Sequence, residues 1–97
     1  MKRYYILFKG QVQGVGFRFT AEMIARKYNL TGWVRNLYDG DVDMEVQGDE
    51  MAIHNMIREL YHSSRWIRIE NHFMKEKPLR DDERGFRSVY GSMDSYY

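Results

Sequence analysis

Residues 3–28 read RYYILFKGQVQGVGFRFTAEMIARKY, and a change of rhythm inside this stretch sets the fold. From Arg3 to Lys9 the chain is dense in Tyr, Ile, Leu and Phe, the composition of a buried strand. Gly10 ends that run, and Gly14 and Gly16 follow closely, so residues 10–17 are expected to form a loop. From Phe17 the apolar positions become Phe17, Ala21, Ile24, Ala25 and Tyr28. Steps of three and four residues place them on one face of a helix, for which Asn29 is a fitting stop.

Working outward, Gly32 to Leu37 reads as a second strand and Asp39-Gly40 as a hairpin turn. Val42, Met44 and Val46 then alternate with Asp41, Asp43, Glu45 and Gln47, the pattern of a half-buried strand with one wet face. Asp39, Asp41, Asp43 and Glu45 are therefore expected on a solvated sheet surface rather than in a metal site. Asp49 is a good N-cap for a second helix with Ile53, Met56, Ile57 and Leu60 on one side. Period two resumes from Trp66 to Lys75, with Ile67, Ile69 and Phe73 expected on one face and Arg68, Glu70 and His72 on the other. A charged loop, residues 78–85, precedes a short last strand over residues 86–91.

The order strand, helix, strand, strand, helix, strand, with a short extra C-terminal strand, is the ferredoxin-like βαββαβ plan of the α+β class. Two helices that each bury one stripe pack on one face of a mainly antiparallel sheet, an open-faced sandwich. One domain is expected over residues 1–91, with residues 92–97 a loose tail.

Composition narrows the function classes. The chain has 97 residues, 43% hydrophobic and 30% charged, an ordinary globular balance. No run approaches the roughly 18 apolar residues of a membrane span, and Met1 to Phe8 reads better as a strand than as a signal segment. There is no cysteine, which excludes disulfides and thiol chemistry and is compatible with a reducing cytoplasm. The net charge of +1 gives no broad basic surface for nucleic acid, so any anion must be bound locally. His54, His62 and His72 are scattered without metal-ligand spacing, and no metal or cofactor is expected.

A local anion site is available between the first strand and the first helix. Glycines there let successive backbone N–H groups curl into one concavity. The start of the helix adds its unpaired N–H groups and the positive end of its dipole. Arg18, at the mouth of that helix, brings a planar fork of donors suited to phosphate oxygens. Neither a P-loop nor a dinucleotide loop fits, since no Lys-Ser/Thr pair follows and no third glycine stands in place. Taken alone, three glycines near a turn are simply a turn, and Asn36 is an ordinary turn residue.

The segment Gly10-x-Val12-Gln13-Gly14-Val15-Gly16-Phe17-Arg18 resembles the first signature of the acylphosphatase family. Gly32-Trp33-Val34-Arg35-Asn36, followed by Gly40-x-Val42 and Gly48, resembles the second. The likeness runs from the first strand to the second helix, and more faintly to the last strand; Phe8 stands where an aliphatic residue is usual. It implies that Gln11, Val12, Gln13, Gly14, Val15, Gly16 and Phe17 bind phosphate oxygens through main-chain N–H groups. It also implies that Arg18 clamps the phosphoryl group and that Asn36 holds the attacking water. The implied reaction is hydrolysis of a small-molecule acyl phosphate to carboxylate and inorganic phosphate, without metal, cofactor or covalent intermediate, by a cytoplasmic monomer. Trp33, Arg35 and Tyr38 border the implied site as candidates for shaping acyl access, although Trp33 reads better as a sheet-packing residue. Two other readings stay open at this level. One is a non-catalytic phosphate-binding module, since similar domains occur attached to larger enzymes such as carbamoyl-phosphate-handling maturation proteins. The other is an RNA-binding sheet using Tyr4, Tyr5, Phe8 and Phe73 as stacking platforms, which lacks the expected RNA-binding block.

Overall fold

A computed structural model describes residues 1–90. Its elements follow the periodicities of the chain: β1 (Lys2–Gln11), α1 (Phe17–Lys27), β2 (Thr31–Asn36), β3 (Val42–Gly48), α2 (Glu50–Tyr61), β4 (Arg68–Lys77) and β5 (Phe86–Val89). Gly91 and the tail expected at residues 92–97 lie outside the described residues. The first helix stops where Asn29 takes a left-handed backbone (φ 57°). The second starts at Asp49, whose carboxylate accepts from the Ala52 amide at 3.0 Å. The hairpin between β2 and β3 closes with Leu37 N–H donating to the Asp41 carbonyl at 2.8 Å, while Asp39 Oδ1 accepts from the Asp41 amide.

The strand order is β4-β1-β3-β2-β5. β1 is antiparallel to β3 and β4, and β2 is antiparallel to β3 and parallel to β5. The chain thus makes two β-α-β units that interlock: β1-α1-β2 straddles β3, and β3-α2-β4 straddles β1. This is the ferredoxin-like α+β fold, with β5 added at the β2 edge. Ala21, Ile24 and Ala25 of α1 and Ile53, Met56 and Leu60 of α2 share one core with Ile6, Phe8, Val34, Val42, Met44 and Val46 of the sheet. Burying these side chains, at roughly 1.5–3 kcal/mol for each large one, is what holds both helices on one face.

Two expectations need correction. The first concerns β4. Lys9 pairs with Asn71 but Gly10 pairs with Ile69, so β4 carries one extra residue there, a β-bulge. The bulge reverses the facing of everything after it. His72 and Met74 pair with Phe8 and Ile6 on the helix side, and Phe73 pairs with Leu7 on the opposite face, where it is exposed rather than buried beside Ile69.

The second concerns the wet face of β3. Asp43 is only 1% exposed. Arg35, its cross-strand neighbour, grips it through Nε at 3.1 Å and a terminal nitrogen at 2.7 Å, and the Tyr5 hydroxyl donates to it at 2.9 Å. Arg3, equally buried, donates to Glu45 at 2.7 Å and to Glu83 at 2.7 and 3.2 Å. Gln47 exchanges hydrogen bonds with the Arg80 backbone. The loop of residues 78–85 folds back over this face, and buried charges persist there because each is paired and hydrogen-bonded. Alternation separates the two faces of a strand; it carries no information about a distant loop that covers one of them.

Candidate active site

The connection from β1 to α1 is pinned at both ends. Val12 and Phe17 are each 1% exposed, and the Phe17 ring packs on Phe8 with centroids 5.1 Å apart. Between them Gly14 (φ 73°) and Gly16 (φ 81°) take left-handed backbone. A Cβ at either position would meet nothing within 4 Å, so it is the dihedral angle and not crowding that calls for glycine. Gly16 is the N-cap of α1 and supplies no side-chain cap, and the first turn holds no acidic residue. Thr20 N–H is the first to close the helix, on the Gly16 carbonyl at 3.0 Å. The amides of Phe17, Arg18 and Phe19 therefore have no carbonyl one turn earlier to accept them, and they share the positive end of the helix dipole.

Asn36 is the last residue of β2. Alternation puts it on the same face as Val34, the helix side, so it points toward the start of α1. The loop and the hairpin that follows Asn36 are tied together by Gln13, whose side-chain amide donates to the Leu37 and Asp41 carbonyls at 2.6 and 2.7 Å.

One cavity of about 290 Å³ collects these parts: its wall includes Gly14, Gly16, Phe17, Arg18 and Asn36. The Arg18 guanidinium lies 4.5 Å over the Tyr90 ring and, among the described residues, forms no ion pair. Glu22, four residues along the helix, would be its ordinary partner. Its carboxylate is engaged elsewhere, accepting from Ser88 N–H at 2.8 Å, from Ser88 Oγ at 2.6 Å and from Arg26 at 3.4 Å. Arg18 thus lines the cavity with its donor fork not committed to Glu22. The arrangement offers backbone N–H groups, a helix terminus and a guanidinium to one dianion, with a neutral amide nearby that both donates and accepts.

The remaining sequence candidates fall into place around it. Val12 lines the same cavity, whereas Gln11 ends β1 opposite Arg68, and Val15 packs against the core. Gln13 acts through its side chain on the hairpin. Phe19, Glu22, Ser88 and Tyr90 complete the wall without having been singled out. Phe19 and Glu22 follow from helical geometry once Arg18 is placed, but Ser88 and Tyr90 arrive only because β5 pairs with β2.

Trp33 and Arg35 do not border this cavity. They point to the opposite sheet face, where the Arg35 guanidinium stacks 5.1 Å over the Trp33 ring, because odd positions of β2 face away from Asn36. Tyr38 projects into solvent, 91% exposed. Tyr5 and Phe8 are buried, on opposite faces of β1, so the four aromatics do not form an open stacking surface. His72 is paired through Nδ1 with the Tyr61 hydroxyl at 2.6 Å.

Against known proteins, the family model described as Acylphosphatase matches residues 4–88. The acylphosphatase of Geobacillus kaustophilus is 40% identical over 92 residues, which is 95% of this chain and 98% of that one. The acylphosphatase of Clostridium acetobutylicum is 39% identical over 90 residues, covering 93% and 99% of the two chains. The crystal structure of acylphosphatase from Bacillus subtilis superposes with a TM-score of 0.86 at 33% identity, covering 93% of this chain and all of that one.

Proposed function

The chain belongs to the acylphosphatase family and has its hydrolase activity, and from that premise we propose how its residues carry the reaction. The substrate phosphoryl group sits at the start of α1. Its oxygens accept from the main-chain N–H groups of residues 11–17, and Arg18 clamps them bidentately. Asn36 holds a water on the far side of the phosphorus from the acyl oxygen. The water oxygen bonds to phosphorus as the P–O bond to the acyl group breaks, and the carboxylate leaves with the electron pair. The proton lost by the water ends on phosphate or solvent.

So short a list of parts suffices because a carboxylate leaves readily and needs no strong acid. Phosphoryl transfer passes through a loose transition state with charge on the equatorial oxygens. Fixed N–H dipoles and a guanidinium meet that charge, and a single such donor is often worth about 3 kcal/mol. Asn36 cannot act as a strong base, but orienting water can contribute several kcal/mol more. The observation that carries the reading is the start of α1, with no side-chain cap and no acid, opening onto the cavity that Asn36 also lines, with an Arg18 that forms no ion pair among the described residues. As part of the same reading the enzyme works as a metal-independent monomer in the cytoplasm, in keeping with a chain that has no cysteine and a net charge of +1.

The test is hydrolysis of benzoyl phosphate by purified protein in excess EDTA. Arg18→Ala and Asn36→Ala are each expected to lower kcat/KM by at least about 100-fold, with circular dichroism unchanged. Undiminished turnover in either variant would overturn the role given to that residue, and loss of wild-type activity in EDTA would overturn metal independence.

A further inference from the structure

The mouth of the cavity carries two aromatic rings that gripping a phosphoryl group does not need. Phe19 and Tyr90 both line it, and they are 67% and 73% exposed. Phe19 is no misplaced core residue. The buried stripe of α1 is Phe17, Ala21, Ile24 and Ala25, and two residues past Phe17 is a turn of about 200° around the helix axis, away from that stripe. It stands directly after Arg18, at the helix end where the phosphoryl group is placed. Tyr90, the residue after β5, meets the cavity with its ring already stacked on the Arg18 guanidinium.

Volume points the same way. The cavity holds about 290 Å³. A phosphoryl group with its bridging oxygen, five heavy atoms, fills roughly twice a water's share of about 30 Å³, so most of the space is left for the group attached to it. A space of this size, at the small end for ligand sites, suits an acyl group of one ring or less. Arg18, Glu22, Asn36 and Ser88 supply its polar side chains, and Phe19 and Tyr90 are its exposed large hydrophobic residues.

Resting on the reaction proposed above, we infer that Phe19 is a specificity-determining residue. With Tyr90 it forms an apolar slot for the acyl group, and the enzyme favours compact acyl phosphates with a planar apolar face, aroyl phosphates among them, over acetyl phosphate. The slot acts on binding: the acyl group gains ring contact while the phosphorus chemistry at Arg18 and Asn36 is the same for every substrate.

The experiment compares kcat/KM for benzoyl phosphate and acetyl phosphate in the wild type, Phe19→Ala and Phe19→Tyr, with Arg18→Ala alongside. Losing one aromatic contact is expected to reduce the benzoyl-to-acetyl ratio in Phe19→Ala about five- to tenfold, expressed in KM. Phe19→Tyr, which keeps the ring, should retain the wild-type ratio. A Phe19→Ala ratio equal to that of the wild type would sink this inference alone, provided Arg18→Ala is inactive. A loss expressed in kcat for both substrates would also sink it, since it would make Phe19 a support of the loop. Turnover persisting in Arg18→Ala would take down the phosphoryl site itself and the slot with it.

Discussion

Helices α1 and α2 hold equivalent places in the two interlocked β-α-β units, and their N-termini are completed in opposite ways. At α2, Asp49 accepts from the Ala52 amide at 3.0 Å and Glu50 occupies the first turn, so side chains of the protein satisfy one orphan N–H group and complement the dipole. At α1 the N-cap is Gly16 in a left-handed conformation, the first turn has no acid, and the nearest charge is the cation Arg18. A cation beside a helix N-terminus is unfavourable unless an anion joins them. The fold leaves one of two like positions unfinished, and in the proposed reaction the substrate phosphoryl group completes it. The structural end is capped from within; the end proposed to bind is left open, between the buried Val12 and Phe17.

The severest way to break this contrast is to give α1 the cap that α2 has. Gly16→Asp places a carboxylate at the N-cap, and aspartate tolerates the left-handed backbone better than most residues. Since the space is open, the fold should survive. The carboxylate would occupy the anion's position and repel the substrate, so kcat/KM is expected to fall by about 100-fold or more. Inorganic phosphate should raise the Tm of the wild type by mass action and leave that of the variant unchanged. Retained activity in steady-state assays would mean that the phosphoryl group sits elsewhere.

The reciprocal change is smaller and falls on a different quantity. Asp49→Ala removes the internal cap of α2, and unfolding in urea is expected to show a loss of about 1 kcal/mol. Activity per folded molecule should stay at the wild-type value, because Asp49 stands at the other helix. A drop in kcat/KM without a stability change would dissolve the contrast between a structural end and a binding end.

The same contrast governs how much could be read from the chain. Helix stripes, the Asp49 cap and the glycine loop with Arg18 are local features, and each was legible because a few adjacent residues decide it. What escaped was non-local. The bulge near Glu70, which turned Phe73 outward, depends on pairing with β1 some sixty residues earlier. The buried Asp43 depends on Arg35 and Tyr5 across the sheet, and the buried Arg3 and Gln47 on a loop more than thirty residues beyond β3. Ser88 and Tyr90 reach the cavity only through parallel pairing of β5 with β2. Resemblance supplied Asn36, whose side chain alone does not distinguish a water-holding amide from a turn residue.

The finest test lies at the other end of α2, which is also closed internally. Tyr61, its last residue, pairs with Nδ1 of His72 on β4 at 2.6 Å, and the His72 ring lies 6.0 Å from that of Phe8. Burial lowers the pKa of His72 below its ordinary 6.5. The sign follows: as pH falls below about 6.5, the unfolded chain takes up a proton on His72 before the folded protein does, so stability declines with pH from that point until the lowered pKa is passed. Urea midpoints measured from about pH 7.5 down to about pH 5 should therefore fall in the wild type over the histidine range. His72→Gln, which keeps a hydrogen-bonding group near Tyr61 but cannot titrate, should fall less over the same interval. Catalysis, proposed to occur at the open end of α1, is expected to keep its pH profile in that variant, because the two ends are finished by different groups. Identical pH dependence of stability in the two proteins would show that the closed end of α2 does not depend on the charge state of His72.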